Sequence, residues 1–340
     1  MYFCQIPTDT RMRAVKFLLP FLLLIPAFIS CNKDLNVDAS WKDITVVYGL
    51  LDQSADTTFI KVTKAFLGPG DALTFAKIAD SSIYPNTLEV RLDEFNGTSF
   101  IKSYPCDTIT LHNKQKGDSI FYYPNQLMYY SKVVLNENYT YKLYIKNKKT
   151  GKEITGQTTM IHDFQVYRPQ MNVSFVPNEY FEVRWDPAKN TARYQVLIRF
   201  YYQEWLTKDP ANKHLRSIDW VAIPSLKIVD QNSTQQLDRF ISGDGFYNVV
   251  GALIDTTSVL TRYADHCVFI FSCASADLNT YMEVTEPSMT IVQEKPAFTN
   301  IVNGIGLFSS RYTKKIDSLG ISGNTRSNLK INPSTIHRGF

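Results

Sequence analysis

Hydrophobic and polar residues alternate along most of the chain, with the period of two that is typical of β-strands. From Leu88 to Asp93 aliphatic residues alternate with charged ones, and Asn96-Gly97 then predicts a type I′ hairpin turn into a second strand over residues 98–104. One apolar and one polar face on each strand is the pattern of an antiparallel sheet in a β-sandwich. We therefore expect a mostly β fold.

Further alternating segments extend this prediction over the first half of the chain. They occupy residues 44–50, 58–64, 139–146 and 153–159. Leu135 precedes Tyr141 by six residues, a spacing that resembles the tyrosine corner of immunoglobulin-like sandwiches, in which the tyrosine hydroxyl bonds to upstream backbone. A tyrosine that simply lies on a strand is the alternative interpretation.

The pattern restarts near residue 165, which predicts a second β-domain. Residues 181–185 alternate and end at Trp185, and after a short turn an apolar face recurs over residues 194–202. A tryptophan strand followed by a long tyrosine-led strand resembles strands B and C of a fibronectin type III sandwich. Two helices are predicted as well, over residues 233–241 and 274–284.

The N-terminal segment has the composition of a secretory signal. Three basic residues, the last of them Lys16, precede an apolar run over residues 17–29, and a serine follows this run. Thirteen residues of helix span about 20 Å, less than the roughly 30 Å hydrocarbon core of a bilayer. Residues 1–30 are therefore predicted to be removed, with translation starting at Met1 or Met12.

Cys31 directly follows the predicted cleavage site. Phe28-Ile29-Ser30-Cys31 resembles a lipobox, the motif at which bacterial lipoproteins are cleaved and acylated on the cysteine. Several acyl chains on Cys31 would anchor the chain stably to a membrane. An ordinary signal peptide followed by an incidental cysteine is the alternative.

The predicted organisation is a lipoprotein signal peptide followed by two β-sandwich domains of the immunoglobulin or fibronectin III type with a few short helices. The length fits roughly two domains of about 150 residues each. The boundaries are residues 1–30 for the signal peptide, 31–42 for a lipidated tether, 43–163 for the N-terminal sandwich, 164–320 for the C-terminal fibronectin III-like domain, and 321–340 for a flexible C-terminal tail.

Composition and charge narrow the classes of function. The 340 residues carry a formal net charge of +4, and their bases and acids are spread along the chain rather than gathered in one basic stretch. Nucleic-acid binding needs a dense basic face, so we do not expect a nucleic-acid partner.

Motifs for catalysis or metal binding are absent from the sequence. The five histidines have no metal-ligand spacing, and no serine-hydrolase elbow is present. Residues 303–306 match only half of a dinucleotide-binding fingerprint, and residues 230–241 lack the glycine and the glutamate of a calcium loop. We therefore predict no catalytic, metal-binding or cofactor-binding residues. Cys106, Cys267 and Cys273 are predicted to be small buried side chains.

A group of aromatic residues supplies the candidate contact site for a ligand or partner. Tyr201, Tyr202 and Trp205 lie at the end of the long predicted strand, and Trp220 lies beyond the polar segment that follows. Aromatic side chains at the end of a sandwich are suited to stacking on sugar rings or gripping a partner protein. The alternative is that these four residues close the second hydrophobic core.

Several segments of the chain resemble a lipoprotein family of Bacteroidota, known as domain of unknown function 4249. The similar segments are residues 47–52 and 59–67 for its opening strands, 139–159 for the end of its first domain, and 274–281 with 298–308 for its C-terminal signature. The resemblance covers residues 31–320 and implies an outer-membrane location but no catalytic residues. Lys33-Asp34 is similar to the charged signal that sends such lipoproteins to the cell surface, and the periplasmic face is the alternative.

Together these features predict a non-enzymatic outer-membrane lipoprotein that binds a ligand or partner at the cell surface. Candidate partners are a surface glycan or peptide and an outer-membrane transporter of the TonB-dependent kind. The alternative is an envelope hydrolase with a dispersed acidic site, for example a glycan-processing enzyme, because two carboxylates about 5–10 Å apart leave no local sequence pattern.

Overall fold

A computed structural model describes residues 42–67, 74, 78, 82–84, 86–112, 125–230, 233–286 and 297–340. Over these residues the chain is mostly β, with sixteen strands and three short helices. The prediction of a mostly β fold with a few short helices is therefore confirmed. The predicted signal peptide and Cys31 lie outside the described residues.

The strands follow one another along the chain, and the three helices whose bounds the structure describes lie in its second half. In chain order the strands are β1 (Lys42–Asp52), β2 (Thr58–Leu67), β3 (Leu88–Asn96), β4 (Ser99–Pro105), β5 (Asp107–Leu111), β6 (Gln126–Ser131), β7 (Thr140–Asn147), β8 (Glu153–Thr159), β9 (Val166–Arg168), β10 (Asn172–Val173), β11 (Tyr180–Trp185), β12 (Arg193–Leu206), β13 (His214–Lys227), β14 (Leu237–Ser242), β15 (Leu260–Ala274) and β16 (Ile305–Ile321). The helices are α1 (Gly243–Leu253), α2 (Ala276–Thr285) and α3 (Gly323–Ile331). In the part of the chain that the structure describes, no helix has the length and apolar character needed to cross a membrane.

The strands form three sheets. The large sheet has nine strands in the order β13-β12-β15-β16-β1-β2-β6-β5, with β10 paired to β16. A three-stranded sheet has the order β14-β11-β9, and a four-stranded sheet has the order β4-β3-β7-β8. Strand β16 pairs in parallel with β1 and antiparallel with β15. Strands from both predicted domain ranges, 43–163 and 164–320, therefore belong to one continuous sheet, and their division into two sandwiches stays a prediction.

Two hydrophobic clusters lie against the large sheet. The first cluster combines residues of β1, β2 and β6 with residues of the four-stranded sheet. The second cluster combines residues of β12, β15 and the end of β16 with residues of the three-stranded sheet, α1 and α3. Phe308 belongs to the first cluster and Ile321 to the second, although both lie on β16. One long strand thus contributes to both cores.

The alternation in the sequence decides which strand residues enter these cores. The buried apolar residues of β12 are Tyr194, Val196, Ile198, Phe200 and Tyr202, and those of β3 include Leu88, Val90 and Leu92. Each large apolar side chain contributes roughly 1.5–3 kcal/mol when it is fully buried. A slip of one residue would turn the whole set to solvent, so this pattern fixes the register of each strand.

Tyr141 forms the predicted tyrosine corner. Its hydroxyl accepts a hydrogen bond of 2.8 Å from the backbone N–H of Asn136 and donates one of 2.8 Å to the Glu94 carboxylate. The arrangement recurs in the second cluster, where the Tyr194 hydroxyl accepts from the backbone N–H of Ala188 at 2.5 Å. Each tyrosine therefore ties the preceding loop to its own strand.

The hairpin predicted at Asn96-Gly97 is present, with a different turn. Asn96 pairs with Ser99, so Gly97 and Thr98 are the two turn residues. Of these two only Gly97 has a positive φ, of 59°, whereas a type I′ turn needs positive φ at both positions. Glycine with positive φ at the first turn position is the pattern of a type II′ turn.

The prediction of a helix over residues 233–241 is wrong. Its second half belongs to strand β14, which pairs antiparallel with β11 and places Ile241 opposite Phe181. Pairing with β11 and burial of Ile241 outweigh the local helix preference, because strand formation depends on the neighbouring strand more than on intrinsic propensity. The helix predicted over residues 274–284 is confirmed as α2.

Helix α1 was not predicted, because its sequence holds three glycines. The structure gives a reason for the first of them. A Cβ atom at Gly243 would lie 2.1 Å from the carbonyl oxygen of Val176, so only glycine permits the helix to begin there. The helix buries Phe246, Tyr247 and Val250 against the second cluster.

The C-terminal residues 321–340 form helix α3 and a packed end, in contrast to the flexible tail predicted there. Leu329 and Thr335 are fully buried, and Phe340 packs against the second cluster. The Ser322 side chain caps α3 by accepting a 3.1 Å hydrogen bond from the backbone N–H of Thr325. The segment is mostly polar, so its few anchoring residues give no periodic hydrophobic signal in the sequence.

The three cysteines of the described residues are free thiols. Cys267 and Cys273 on β15 are buried as predicted, whereas Cys106 is only partly buried. Burial raises the pKa of the Cys267 and Cys273 thiols, and burial together with Asp107 raises that of Cys106 to about 12. All three are therefore protonated at neutral pH, which makes them poor nucleophiles.

Candidate functional site

The four aromatic residues of the candidate contact site divide into two pairs. Tyr201, Tyr202 and Trp205 lie on β12, and Trp220 lies on the neighbouring strand β13. Tyr202 and Trp220 pack in or against the second cluster, and Trp220 is paired with Ile198 in the register. Because successive strand residues point to opposite faces, Tyr201 and Trp205 lie outside this core.

Trp220 lies beneath helix α1. Its ring centroid is 5.9 Å from that of Phe175 and 6.4 Å from that of Phe246. A Cβ atom at Gly245 would lie 3.0 Å from the indole ring, so the helix backbone passes close above it. These contacts make Trp220 a part of the aromatic core.

Tyr202 is a core residue as well. Its ring centroid lies 5.8 Å from that of Phe200 and 5.9 Å from that of Phe340. Burial, followed by the charge of Glu204, raises the pKa of the Tyr202 hydroxyl. The alternative interpretation of the aromatic group, that it closes the second core, therefore fits Tyr202 and Trp220.

Tyr201 lies on the other face of β12 and is held by its neighbours there. Its ring stacks on the imidazole of His266 at a centroid distance of 4.5 Å. Two residues earlier, Arg199 donates two hydrogen bonds to the carboxylate of Asp219, at 2.6 and 2.8 Å. The Arg199 bond lowers the pKa of Asp219, so this pair is charged at neutral pH.

Trp205 borders open space near the end of β12. It is partly buried, it pairs with Thr261 of β15, and the Nζ atom of Lys213 lies 4.9 Å from its ring centroid. A cation–π contact of this kind contributes about 0.5–1 kcal/mol at an exposed site. The contact orients the indole without covering it with another element of the fold.

Two clefts flank Trp205. The smaller cleft, of about 210 Å³, is lined by Trp205 together with Glu204, Asp209, His214 and Arg216. The larger cleft, of about 310 Å³, is lined by Trp205 together with Tyr263, Arg326, Lys330 and Phe340. The larger cleft is basic, and the smaller cleft carries both signs of charge. A ligand in either cleft would contact the indole.

Arg262 holds the strand ends and the C-terminal segment together behind these clefts. Its side chain is buried, and its Nε donates to the Glu204 carboxylate at 2.7 Å. Its Nη1 donates to the backbone carbonyls of Asp255 and Arg338, at 2.9 and 2.6 Å. Arg216 lies 3.6 Å from the same glutamate. A buried cation with this many acceptors is compensated, and its hydrogen bonds link β12 and β15 to the C-terminal segment beside Trp205.

The chemistry that these clefts offer is binding through stacking and hydrogen bonds. Among the residues that the structure describes, no group of three or more histidines, cysteines, aspartates and glutamates could hold a metal ion. The indole provides a flat apolar surface, and the arginine and lysine side chains of the larger cleft provide donors for an acidic or hydroxyl-rich ligand.

A third concave surface is not anticipated by the sequence. This surface, which we name the β1–α2 groove, measures about 360 Å³ and is bordered by Tyr48, Phe59, Tyr281 and Arg311. Tyr48 and Tyr281 are 233 positions apart, and only the fold brings them together. The one available signal is the alternation on β1, which turns Tyr48 away from the buried Val47.

Comparison with known proteins adds no relative. Neither the scan against protein-family models nor the search of curated proteins finds a match to this chain.

Proposed function

We propose that this chain is a non-enzymatic lipoprotein of the outer membrane, built from two β-sandwiches, that binds a ligand or partner at the cell surface next to Trp205. The partners we consider are a surface glycan or peptide and a TonB-dependent transporter. In this proposal the acylated Cys31 supplies the membrane anchor, and the resemblance to a Bacteroidota lipoprotein family supplies the location.

The observation that carries the proposal is the position of Trp205 between two clefts. A large amphipathic ring with open space on both sides resembles the anchors of binding interfaces, which concentrate in Trp, Tyr and Arg. The clefts border several charged side chains, which gives them the few polar groups that orient a ligand in a concave site. Of the four aromatic residues first considered, Trp205 and Tyr201 therefore remain as contact candidates.

The alternative of an envelope hydrolase has one supporting feature. Two carboxylates, those of Glu204 and Asp209, line the same smaller cleft. Arg262 lies 2.7 Å from one carboxylate oxygen of Glu204, and Arg216 lies 3.6 Å from the other, so both oxygens already face protein cations rather than the cleft alone. The arrangement is better suited to binding, so the hydrolase stays the second candidate.

The test is affinity purification from native membranes with the wild type and a Trp205→Ala variant. The affinity tag belongs in the exposed turn after Lys148, because Phe340 at the C-terminus packs against the second cluster. We expect wild type to retain a specific partner or glycan and Trp205→Ala to lose most of it with an unchanged melting temperature. Phe240→Ala, which removes an exposed aromatic ring elsewhere, is the matched control and should retain the partner.

A Cys31→Ser variant completes the same experiment. We expect wild type to incorporate radiolabelled palmitate and to fractionate with the outer membrane, and the variant to do neither. Equal labelling of both proteins would overturn the lipoprotein part of the proposal. Equal recovery of the partner by wild type and Trp205→Ala would overturn the assignment of the contact site.

A further inference from the structure

The β1–α2 groove lies on the face of the large sheet opposite the first hydrophobic cluster. On β1 the residues Val47 and Leu51 enter that cluster, so Tyr48 and Leu50 between them face the groove. Helix α2 forms one side of the groove and contributes Tyr281. The groove is thus built from strands at the centre of the sheet and from a helix, which are rigid elements.

The groove has aromatic walls. The rings of Tyr48 and Tyr281 meet edge to face at a centroid distance of 6.1 Å, and the Tyr281 hydroxyl donates to that of Tyr48 at 3.4 Å. Phe59, which is 44% exposed, lies on β2 with its ring 6.3 Å from that of Tyr130. Exposed rings on neighbouring elements make a slot in which a flat apolar group can be held.

Arg311 supplies a charged group at the groove. Its Nε donates to the Asp52 carboxylate at 3.2 Å, and its side chain is 54% exposed, whereas that of Asp52 is 7% exposed. Within the described residues, the two Nη nitrogens of Arg311 have no protein partner. The Nε bond to Asp52 orients the guanidinium, and its two Nη atoms can both donate to a planar acceptor such as a carboxylate from solution.

The accessible polar atoms of the groove are mainly hydrogen-bond donors, so the groove favours a ligand that accepts hydrogen bonds. Asp52 is nearly buried, and its Oδ1 already accepts from the backbone N–H of Ser54 at 3.0 Å. The Tyr48 and Tyr281 hydroxyls lie 3.4 Å apart, and a hydrogen bond between them uses only one of their two protons, so the other can be donated to a ligand. A neutral sugar would need acceptors as well as donors. Lys61 also lines the groove, so its walls carry two cations against the Asp52 carboxylate, which balances one negative charge on a ligand but not the two of a phosphate dianion.

We propose that the β1–α2 groove binds a small amphipathic carboxylate. The carboxylate forms a two-pronged hydrogen bond with the Nη atoms of Arg311, and an apolar or aromatic body about the size of two amino-acid residues lies between Tyr48 and Phe59. A volume of about 360 Å³ suits such a ligand. This site goes beyond the Trp205 contact proposed above and shares no residue with it.

The test uses the mature full-length protein in non-ionic detergent and three probes. These are N-acetyl-Leu-Phe with a free carboxylate, the amide of the same peptide, and phenyl phosphate, each titrated by calorimetry. We expect the acid to bind at least about 10-fold more tightly than the amide, because hydrogen bonds between a guanidinium and a charged carboxylate are roughly twice as strong as those to a neutral acceptor. Phenyl phosphate should bind more weakly than the acid.

Variants assign the effect to the groove. Arg311→Lys keeps the positive charge beside Asp52 but removes the two Nη donors of the guanidinium. The preference for acid over amide should therefore fall to about 3-fold or less. Tyr48→Ala should weaken the acid and the amide alike, and Arg199→Lys, which alters a distant arginine pair, should behave as wild type. Melting curves verify that each variant is folded.

The proposal is overturned if the acid and the amide bind equally to wild type, or if neither saturates below about 10 mM. It is also overturned if phenyl phosphate is preferred, or if Arg311→Lys retains the full preference while folded. None of these results bears on Trp205, so failure here and failure of the surface-contact proposal are distinguishable.

Discussion

Trp205 and Trp220 lie on neighbouring strands of one sheet, yet they belong to different parts of the molecule. Both rings are partly buried. Trp220 lies beneath helix α1 and joins the aromatic core, whereas Trp205 lies between two clefts, with the Nζ atom of Lys213 at 4.9 Å from its ring centroid. The elements that pack over a strand, rather than the strand itself, therefore decide whether its aromatic residues belong to the core or to the surface.

The largest expected effect concerns Trp220. Trp220→Ala should lower the free energy of unfolding by about 3 kcal/mol or more, because it removes a large ring from contacts with Phe175 and Phe246. Trp205→Ala should lower it by less than about 1 kcal/mol. Urea denaturation of both variants measures the two values. Equal losses of unfolding free energy would contradict the assignment of Trp220 to the core and Trp205 to the surface.

An intermediate effect is expected for Leu329, which anchors helix α3 beside the larger cleft. Leu329 is fully buried, so Leu329→Ala should cost about 2–3 kcal/mol and loosen the C-terminal segment that carries Phe340. Ile331→Ala, on the same helix but 67% exposed, is the control and should cost less than about 0.5 kcal/mol. Amide hydrogen exchange in residues 323–340 gives a second readout, and unchanged exchange in Leu329→Ala would contradict the packed C-terminus.

The smallest effect is a pH dependence in the covered region. Tyr247 is fully buried, donates a 2.6 Å hydrogen bond to the backbone carbonyl of Phe175, and has a pKa that burial raises to about 12. As the pH rises, the unfolded state loses the proton of the Tyr247 hydroxyl near pH 10, whereas the folded state keeps it until about pH 12. The stabilisation is therefore complete below pH 10 and declines as the pH rises from about 10 to 12.

Tyr247→Phe tests this assignment. The variant should be less stable than wild type by about 1 kcal/mol at pH 8, since it lacks the hydrogen bond to Phe175. The difference should shrink as the pH rises towards 12, because wild type loses the contribution of its buried hydroxyl. Denaturation curves at several pH values measure the difference, and a gap that widens with pH would refute the role of Tyr247.

The regular strands were the most predictable part of the fold. The alternation over residues 88–92 and 194–202 identifies the buried face of β3 and β12, because the hydrophobic pattern of a strand with one solvent-exposed face has a period of two. The tyrosine corner at Tyr141 was visible too, since its geometry is local to one loop and one strand. Strand β14 was missed because its conformation depends on pairing with β11, which is remote in sequence.

The candidate site was only half predictable. The sequence pointed to Tyr201, Tyr202, Trp205 and Trp220 as a group, and the alternation on β12 separates Tyr201 from Tyr202. Nothing local indicated that α1 covers Trp220, because the contact depends on glycines that let the helix approach. The β1–α2 groove could not be predicted either, since Arg311 and Tyr48, which both line it, are far apart in the sequence.

The sequence by itself determined the strand periodicity, the inward faces and the signal-like N-terminus with Cys31, because each depends on residues close together in the chain. Only the tertiary structure decided that β1 pairs in parallel with β16, that residues 321–340 pack against the core, and that Trp205 remains open while Trp220 is covered. The physical reason is that burial is a property of contacts between distant segments, and a side chain of the same type is stable in either environment.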